Sequence, residues 1–291
     1  MNRQNIGIIG AGRVGAVLGA ALERAGHTVV ATVAVSAASR TRAERLLPHA
    51  RLLPADEVAA AADLVLLAVP DDVLAGLVAG LAETGALRPD QIVAHTSGAH
   101  GLGVLAPVTR PLALHPAMTF TGTAADLDRL AGVSFGVTAP AGLRGTAEAL
   151  VGDLGGVVEW IEEEQRPLYH AALAHGANHL ATLVAEAMDR LRDAGVHEPA
   201  RVLAPLLGAA LDNSLRLGDA ALTGPVSRGD AGTVRKHLQA LEAVAPGSVP
   251  PYLALARRTA DRVIAAGRLR PIDAEPLLDV LRDAQARERA V

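Results

Sequence analysis

The chain has 291 residues, of which 50% are hydrophobic, 20% charged and 2% aromatic, with a formal net charge of −4. That length suits two ordinary domains, and the composition is globular rather than disordered. The absence of cysteine excludes disulfide scaffolds, thiol catalysis and thiolate metal sites, and an acidic balance gives nucleic acid no electrostatic footprint. The first ten residues carry no apolar core or cleavage site of a signal peptide. No apolar run reaches the ~18 residues that would span a bilayer, so a cytoplasmic protein is expected. Ile6 to Ile9 is an apolar run ending on glycine and reads as a buried strand. Val14 to Ala25 has helical spacing. Thr28 to Val35, rich in β-branched residues, is a second strand, and Arg42 to Leu47 a short helix. Asp63 to Val69 is a buried strand stopped by Pro70, after which Asp71 and Asp72 stand where a helix N-terminus favours acidic side chains. Gln91 to His95 and Val133 to Thr138 are later strands.

Strands without polar alternation, separated by helices, predict a parallel sheet covered on both faces. Beyond Trp160 the strand pattern stops. Pro167 suits the early turn of a helix that runs to Ala194 and ends at Gly195. Further helices are expected over Pro199–Leu217, Ala231–Val244, Pro251–Ala266 and Ile272–Ala286, broken by Leu222-Thr223-Gly224-Pro225. The expectation is an α/β protein: a doubly wound parallel sheet of Rossmann type over 1–160, and an all-helical domain for substrate and dimerisation over 161–291.

Gly10-Ala11-Gly12-Arg13-Val14-Gly15 is a G-x-G-x-x-G between a strand and a helix, the context a dinucleotide fingerprint requires. Gly10 permits the turn, Gly12 lets the backbone approach a pyrophosphate, and Gly15 lets helix and strand pack closely. The helix N-terminus adds free amides. NAD binders place Asp or Glu at the end of the second strand. Here Val35 to Arg42 has no carboxylate, but offers two serines, Ser36 and Ser39, and two arginines, Arg40 and Arg42, with Arg40 the first choice. Hydroxyls and a guanidinium suit a 2′-phosphate, so NADP is the expected cofactor.

Val69-Pro70-Asp71-Asp72, His95-Thr96-Ser97-Gly98, the Leu114 to Phe120 segment with His115-Pro116, Asn178, and Leu222-Thr223-Gly224-Pro225 with Arg228-Gly229-Asp230 together resemble a bacterial family. The N-terminal half is similar to the 6-phosphogluconate dehydrogenase-like Rossmann superfamily. That group includes ketopantoate reductases, pyrroline-carboxylate reductases and prephenate dehydrogenases. The whole chain resembles Rossmann-like oxidoreductases with a C-terminal DUF2520 domain. The resemblance implies an NADP-dependent oxidoreductase of a small keto acid, with 2-dehydropantoate the first substrate. A prephenate- or arogenate-type dehydrogenase and a non-catalytic NADP(H)-binding protein are the alternatives.

Carbonyl reduction needs a proton donor near the nascent alkoxide and groups that fix the substrate. Val69, Pro70, Asp71 and Thr96 lie at strand ends that line the cofactor crevice. Ser97, beside them, reads either as a hydrogen-bonding site residue or as a turn serine. His115 ends another apolar run and resembles the acid/base histidine of prephenate dehydrogenases, although Ala117 separates His115-Pro116 from Met118. Its pKa range suits proton transfer. His175, Asn178, His179, Thr182, Glu186 and Asp189 share one face at α-helical spacing. By resemblance, Asn178 contacts the substrate. The relatives' helix lysine is absent, since Ala174 stands four residues before Asn178. Catalysis is therefore expected from His115 and Asn178, then His175 and Ser97, with His179 and Arg228 toward the substrate. Lys236, the only lysine, is either a surface residue or a substrate contact. The His175/His179 pair lacks a placed carboxylate, so no metal site is expected. Apolar helices beyond residue 199 predict a homodimer.

Overall fold

A computed structural model describes residues 3–288 and divides the chain into two compact units, Met1–Ala177 and Asn178–Val291. The first unit runs β1 (Asn5–Ile9), α1 (Arg13–Arg24), β2 (Thr28–Val33), α2 (Ala37–Leu46), β3 (Arg51–Leu52), α3 (Ala55–Ala60) and β4 (Leu64–Leu67). It continues with α4 (Asp71–Glu83), β5 (Ile92–His95), β6 (Arg110–Pro116), α5 (Ala125–Arg129), β7 (Ser134–Thr138), α6 (Arg144–Asp153), β8 (Val157–Trp160) and α7 (Arg166–Leu173). The strands form one eight-stranded sheet in the order β3-β2-β1-β4-β5-β6-β7-β8. Its first six strands are parallel and follow the Rossmann order.

Alternation along the strands supplies both faces. Ile6, Ile8, Leu64 and Leu66 enter one core with α1 and α6. Ile9, Val65 and Leu67 enter a second with α3 and α4. This is why the strands read as unbroken apolar runs. One element departs from the expected parallel sheet. β7 runs antiparallel to β6, pairing His115 with Gly136, and β8 follows β7. The sequence places a boundary at residue 160, where the last strand ends. The compact units divide after α7, because Arg166 at its start is fully buried and bonded to the sheet.

The second unit contains α8 (His179–Asp193), α9 (Pro199–Leu217), α10 (Gly224–Ser227), α11 (Ala231–Val244), α12 (Val249–Ala265) and α13 (Pro271–Glu288). Val234 and Leu238, Val249 to Ala260 at helical spacing, and Leu277, Val280, Leu281 and Ala284 build its core. Between α7 and α8, Ala174–Asn178 form a π-helical turn. None of the described helices is long and apolar enough to cross a membrane.

Candidate active site

The C-terminal ends of the parallel strands carry the candidate site, as expected for a doubly wound sheet. At β1, Gly10 has φ +106°, and a Cβ there would lie 2.5 Å from the Ala68 carbonyl oxygen. A Cβ at Gly15 would strike the Gly10 carbonyl, so α1 packs tightly under the turn. Gly12 is the N-cap of α1 and brings no side chain to its amides. Ala11 donates instead to Val33. The first amides of α1 therefore face outward with the positive end of the helix dipole behind them, a cradle for a phosphate. Val69 borders the same turn, and Asp71 opens α4 beside it.

The end of β2 differs from the sequence expectation. Ser36 caps α2 by accepting from the Ser39 amide at 3.1 Å, and the buried Ser39 hydroxyl donates to the Ser36 carbonyl at 2.8 Å. Both hydroxyls are thus engaged in the helix start. Arg40 is exposed. Arg42 and Arg13 converge: atoms of both side chains lie within 3.1 Å of where Gly122 would carry a Cβ. The Gly122 loop is fixed by buried Asp126, which accepts from the amides of Thr121 and Gly122 and from the Thr121 hydroxyl. Burial opposes the charge of Asp126, yet these bonds hold its carboxyl below the ordinary value.

Further along the edge stands a cluster of imidazoles. His95, fully buried, accepts from the Ser97 amide at Nδ1 and donates from Nε2 to the Gly101 carbonyl. Burial drives its pKa down to about 4, a backbone bond to Gly101 works the other way, and the Arg166 charge adds to the fall. The Ser97 hydroxyl accepts from the His100 amide at 3.1 Å, so Ser97 is a turn serine here. His115, half-buried, has Nδ1 at 3.0 Å from the Tyr169 hydroxyl and packs edge-on against Tyr169 and His170. Burial, then His170 and Arg166, push the His115 pKa down to about 4 against the pull of Asp71. The sequence reading took His115 in the ordinary imidazole range, and its surroundings lower it from there.

Arg166 organises the cluster. Its Nε donates to the Thr138 hydroxyl, and its two terminal nitrogens donate to the carbonyls of Ser97, Ala113 and Gly136. Glu163 accepts from the Leu102 and Gly103 amides and so ties down the loop that carries Ser97 and Gly98. Arg166, Tyr169 and His170 escaped the sequence reading, which quoted His95 at a strand end but gave it no role. The signal was present in Tyr169-His170, one of only two tyrosines beside a histidine in the first turns of a helix.

The remaining candidates fall elsewhere. His175 and Asn178 both lie in the π-helical turn, whose wider period breaks the predicted single face of His175, Asn178, His179 and Thr182. His179 begins α8 and is exposed. In the helical unit, Asp230 caps α11 through Thr233, and the charges of Arg228 and Lys236 act on it. Arg228 lines a cavity of about 440 Å³ with Arg268, Thr223 and Ser227. Another cavity of about 400 Å³, bordered by Arg190, His237 and Tyr252, contains none of the histidines or amides that gather at the sheet edge. Among the described residues no three His, Cys, Asp or Glu are grouped to hold a metal ion.

Residues 1–116 match the Rossmann-like domain and residues 133–259 match the domain of unknown function DUF2520. The chain is a Rossmann-like protein with a DUF2520 domain. No curated protein sequence matches it. Among solved structures, a Bacteroides fragilis protein whose description proposes an NADP oxidoreductase is 24% identical, with a TM-score of 0.76, over 89% of this chain and 98% of that one. A Thermotoga maritima protein described without an activity is 19% identical over 90% and 99%, with a TM-score of 0.65. Pyrroline carboxylate reductase of Plasmodium falciparum, solved with NADP bound, is 12% identical over 95% and 99%, with a TM-score of 0.60. At such identities the likeness is one of fold.

Proposed function

We propose that this Rossmann-like DUF2520 protein is an NADP-dependent oxidoreductase that reduces a small keto acid, with 2-dehydropantoate the first candidate, working in the cytoplasm as a homodimer. The observation that carries the reading is the cradle at β1 combined with the end of β2. A glycine turn aims the free amides of α1 outward, the end of β2 offers no acid, and the Arg42 guanidinium lies with the Arg13 side chain beside Gly122. The residues present fit the cofactor. Gly10, Ala11, Gly12, Arg13, Val14 and Gly15 would hold the pyrophosphate, and Arg13 with Arg42 and Arg40 the 2′-phosphate. Val69, Pro70, Asp71 and Thr96 would line the path toward the reacting end. When bound, the nicotinamide supplies the reducing hydride. The NADP complex of the Plasmodium neighbour supports the assignment by fold.

The chain's own chemistry is assigned to His115, which presents a neutral imidazole to the substrate oxygen. Asn178, His175, His179, Arg228 and Lys236 remain the further candidates for substrate contacts that the sequence offers. Ser97 keeps a shaping role, because its hydroxyl already serves the loop. Ala174 begins the π-helical turn, so no lysine assists from that position.

The experiment is a titration of the purified protein with NADPH and NADH, followed by NADPH oxidation with 2-dehydropantoate or pyrroline-5-carboxylate and by NADP⁺ reduction with prephenate. Tighter NADPH binding with turnover of 2-dehydropantoate is the expected result. Turnover of prephenate with NADP⁺ alone would replace the substrate assignment. Tight NADPH binding with no turnover of any of the three would favour a binding protein.

A further inference from the structure

The cavity of about 400 Å³ in the helical unit is bounded by α8, α10, α11 and α12. Its volume falls in the range of small-molecule sites. Its lining is mostly apolar, with Leu183 of α8, Val226 of α10, Leu241 of α11 and Leu255 of α12. Leu183 and Leu255 are 43% and 47% exposed, so part of that apolar surface is left to water. Tyr252 and His237 form one wall as a T-shaped pair, with the phenol oxygen 2.9 Å from Nδ1. Two charges interrupt this lining. Glu186 and Arg190 stand one turn apart on α8, and both border the cavity. Their spacing allows an ion pair, yet Arg190 is turned elsewhere. Its Nε donates to Asp193 and its Nη1 to the Ser248 hydroxyl, each at 2.8 Å. Ser248 is the buried N-cap of α12 and holds the guanidinium in place. Among the described residues, Nη2 of Arg190 and the Glu186 carboxylate have no hydrogen-bond or ion-pair partner.

We propose that this cavity binds an apolar α-amino acid as its zwitterion, the carboxylate on Arg190, the ammonium on Glu186 and the side chain against the Leu183, Val226, Leu241 and Leu255 wall. The two charges select the occupant by elimination. A simple carboxylate that reached Arg190 would be repelled by Glu186, and a simple amine that reached Glu186 would be repelled by Arg190. An uncharged apolar molecule would cover both charges and satisfy neither, which is costly for ionised groups. A zwitterion offers each charge its opposite. Residues one helical turn apart have Cβ atoms about 5–6 Å from each other, a span that suits two groups carried by a single α-carbon. The apolar lining then favours a hydrocarbon or aromatic side chain over a polar one. Every lining residue lies between Leu183 and Thr259, within one compact unit. The site draws on neither the glycine cradle nor the histidine cluster, and it stands whether or not the protein is a reductase. The competing occupant is a second copy of the chain, because Leu183 also belongs to the exposed leucines of α8 and α9.

The test is calorimetry of the full-length protein at pH 7 with L-leucine and L-phenylalanine. Each is compared with its two analogues that lack one charge: 4-methylpentanoate and 3-methylbutylamine for the first, 3-phenylpropanoate and 2-phenylethylamine for the second. At least one amino acid should bind once per chain. Both of its analogues should bind ~10-fold or more weakly, the scale of one charge-assisted hydrogen bond. Glu186→Gln, which keeps the shape and loses the charge, should weaken the amino acid by a similar factor without weakening the analogue that has no ammonium. Ala187→Leu, which fills the cavity from α8 and leaves both charges in place, should abolish binding. Glu186→Gln still decides the matter if the larger side chain prevents folding. Binding of neither amino acid at millimolar concentration overturns the proposal, and gives the cavity to the second copy if light scattering shows a dimer. An analogue that binds as tightly as its amino acid, or a folded variant that binds it normally, overturns the proposal as well.

Discussion

A histidine packed against a second imidazole and a buried guanidinium is driven toward its neutral form, and this decides how His115 works. With its pKa down to about 4, only about one molecule in a thousand carries imidazolium at pH 7. An enzyme relying on that cation would speed up as the pH falls. One relying on the neutral N–H should hold a flat kcat from pH 8 to 6 and lose activity toward pH 4, and the flat profile is expected here. His115→Asn should cost ~10²-fold or more in kcat with NADPH affinity almost unmoved; near-normal turnover would transfer the role to another group. At the other end of the site, Arg42→Ala should weaken NADPH by ~10-fold or more, the scale of one charge-assisted hydrogen bond, and leave NADH nearly unchanged. Arg40→Ala should do less, since Arg40 stands exposed while Arg42 converges with Arg13. Parallel titrations of both variants with both cofactors decide the order. The glycine turn was legible because its spacing dictates a backbone shape. The Arg42 contact was not, because it depends on a loop some 80 residues away. His115 was visible as a strand end, but its titration depends on Tyr169, His170 and Arg166, which only folding brings near.

Helix α7 is attached to the sheet by one side chain more than by any apolar stripe. Arg166 is fully buried and bonded to three carbonyls and a hydroxyl on three segments, the loop after β5, β6 and β7. A buried arginine is rare enough that sequence reading assigns it to the surface by default. Removing it would leave those acceptors unsatisfied, each costing roughly 1–3 kcal/mol. Arg166→Leu should therefore destabilise the first unit by several times the effect of an ordinary surface change, measured as a lower denaturant midpoint. A loss within that of Arg45→Ala, an exposed helix residue, would refute the anchoring role. Elements with a periodic apolar face were legible: α9 and α11 have the bounds expected from the sequence. The two-residue β3 was not, since Arg51 and Leu52 are both exposed and form no apolar run. Nor was the reversal of β7, because a short buried strand carries the same apolar run in either direction. The π-helical turn was missed for a related reason: period arguments assume one pitch, and Ala174 to Asn178 change it.

At the scale of the whole molecule, two properties follow from groups already placed. The first is acid sensitivity. His95 and His115 are neutral in the fold down to about pH 4, whereas in the unfolded chain they take up protons near 6.5. Between those values the unfolded state binds more protons, so stability is complete above pH 6.5 and falls as the pH drops toward 4, by up to ~3 kcal/mol for each ring. Denaturant melts at pH 7, 5.5 and 4.5 should show that decline, and a constant midpoint would contradict it. The second is assembly. Helix α8 buries none of its residues, and α9 buries only Pro199 and Leu203 along 19 residues. Leu180, Leu183, Val202, Leu206, Leu211 and Leu215 stand open to solvent, with Leu215 80% exposed. Scattered exposed leucines are ordinary, but a run of them on two consecutive helices forms a patch that soluble chains cover. A second copy covers it most economically, because a two-fold axis sets the same apolar face against itself. Light scattering at micromolar concentration should therefore return twice the 29.8 kDa of one chain. Leu206→Glu combined with Leu215→Glu should return a monomer with unchanged helix content, since neither side chain belongs to the core of its unit. A wild-type mass of one chain, or a double variant that stays dimeric, would remove α9 from the interface.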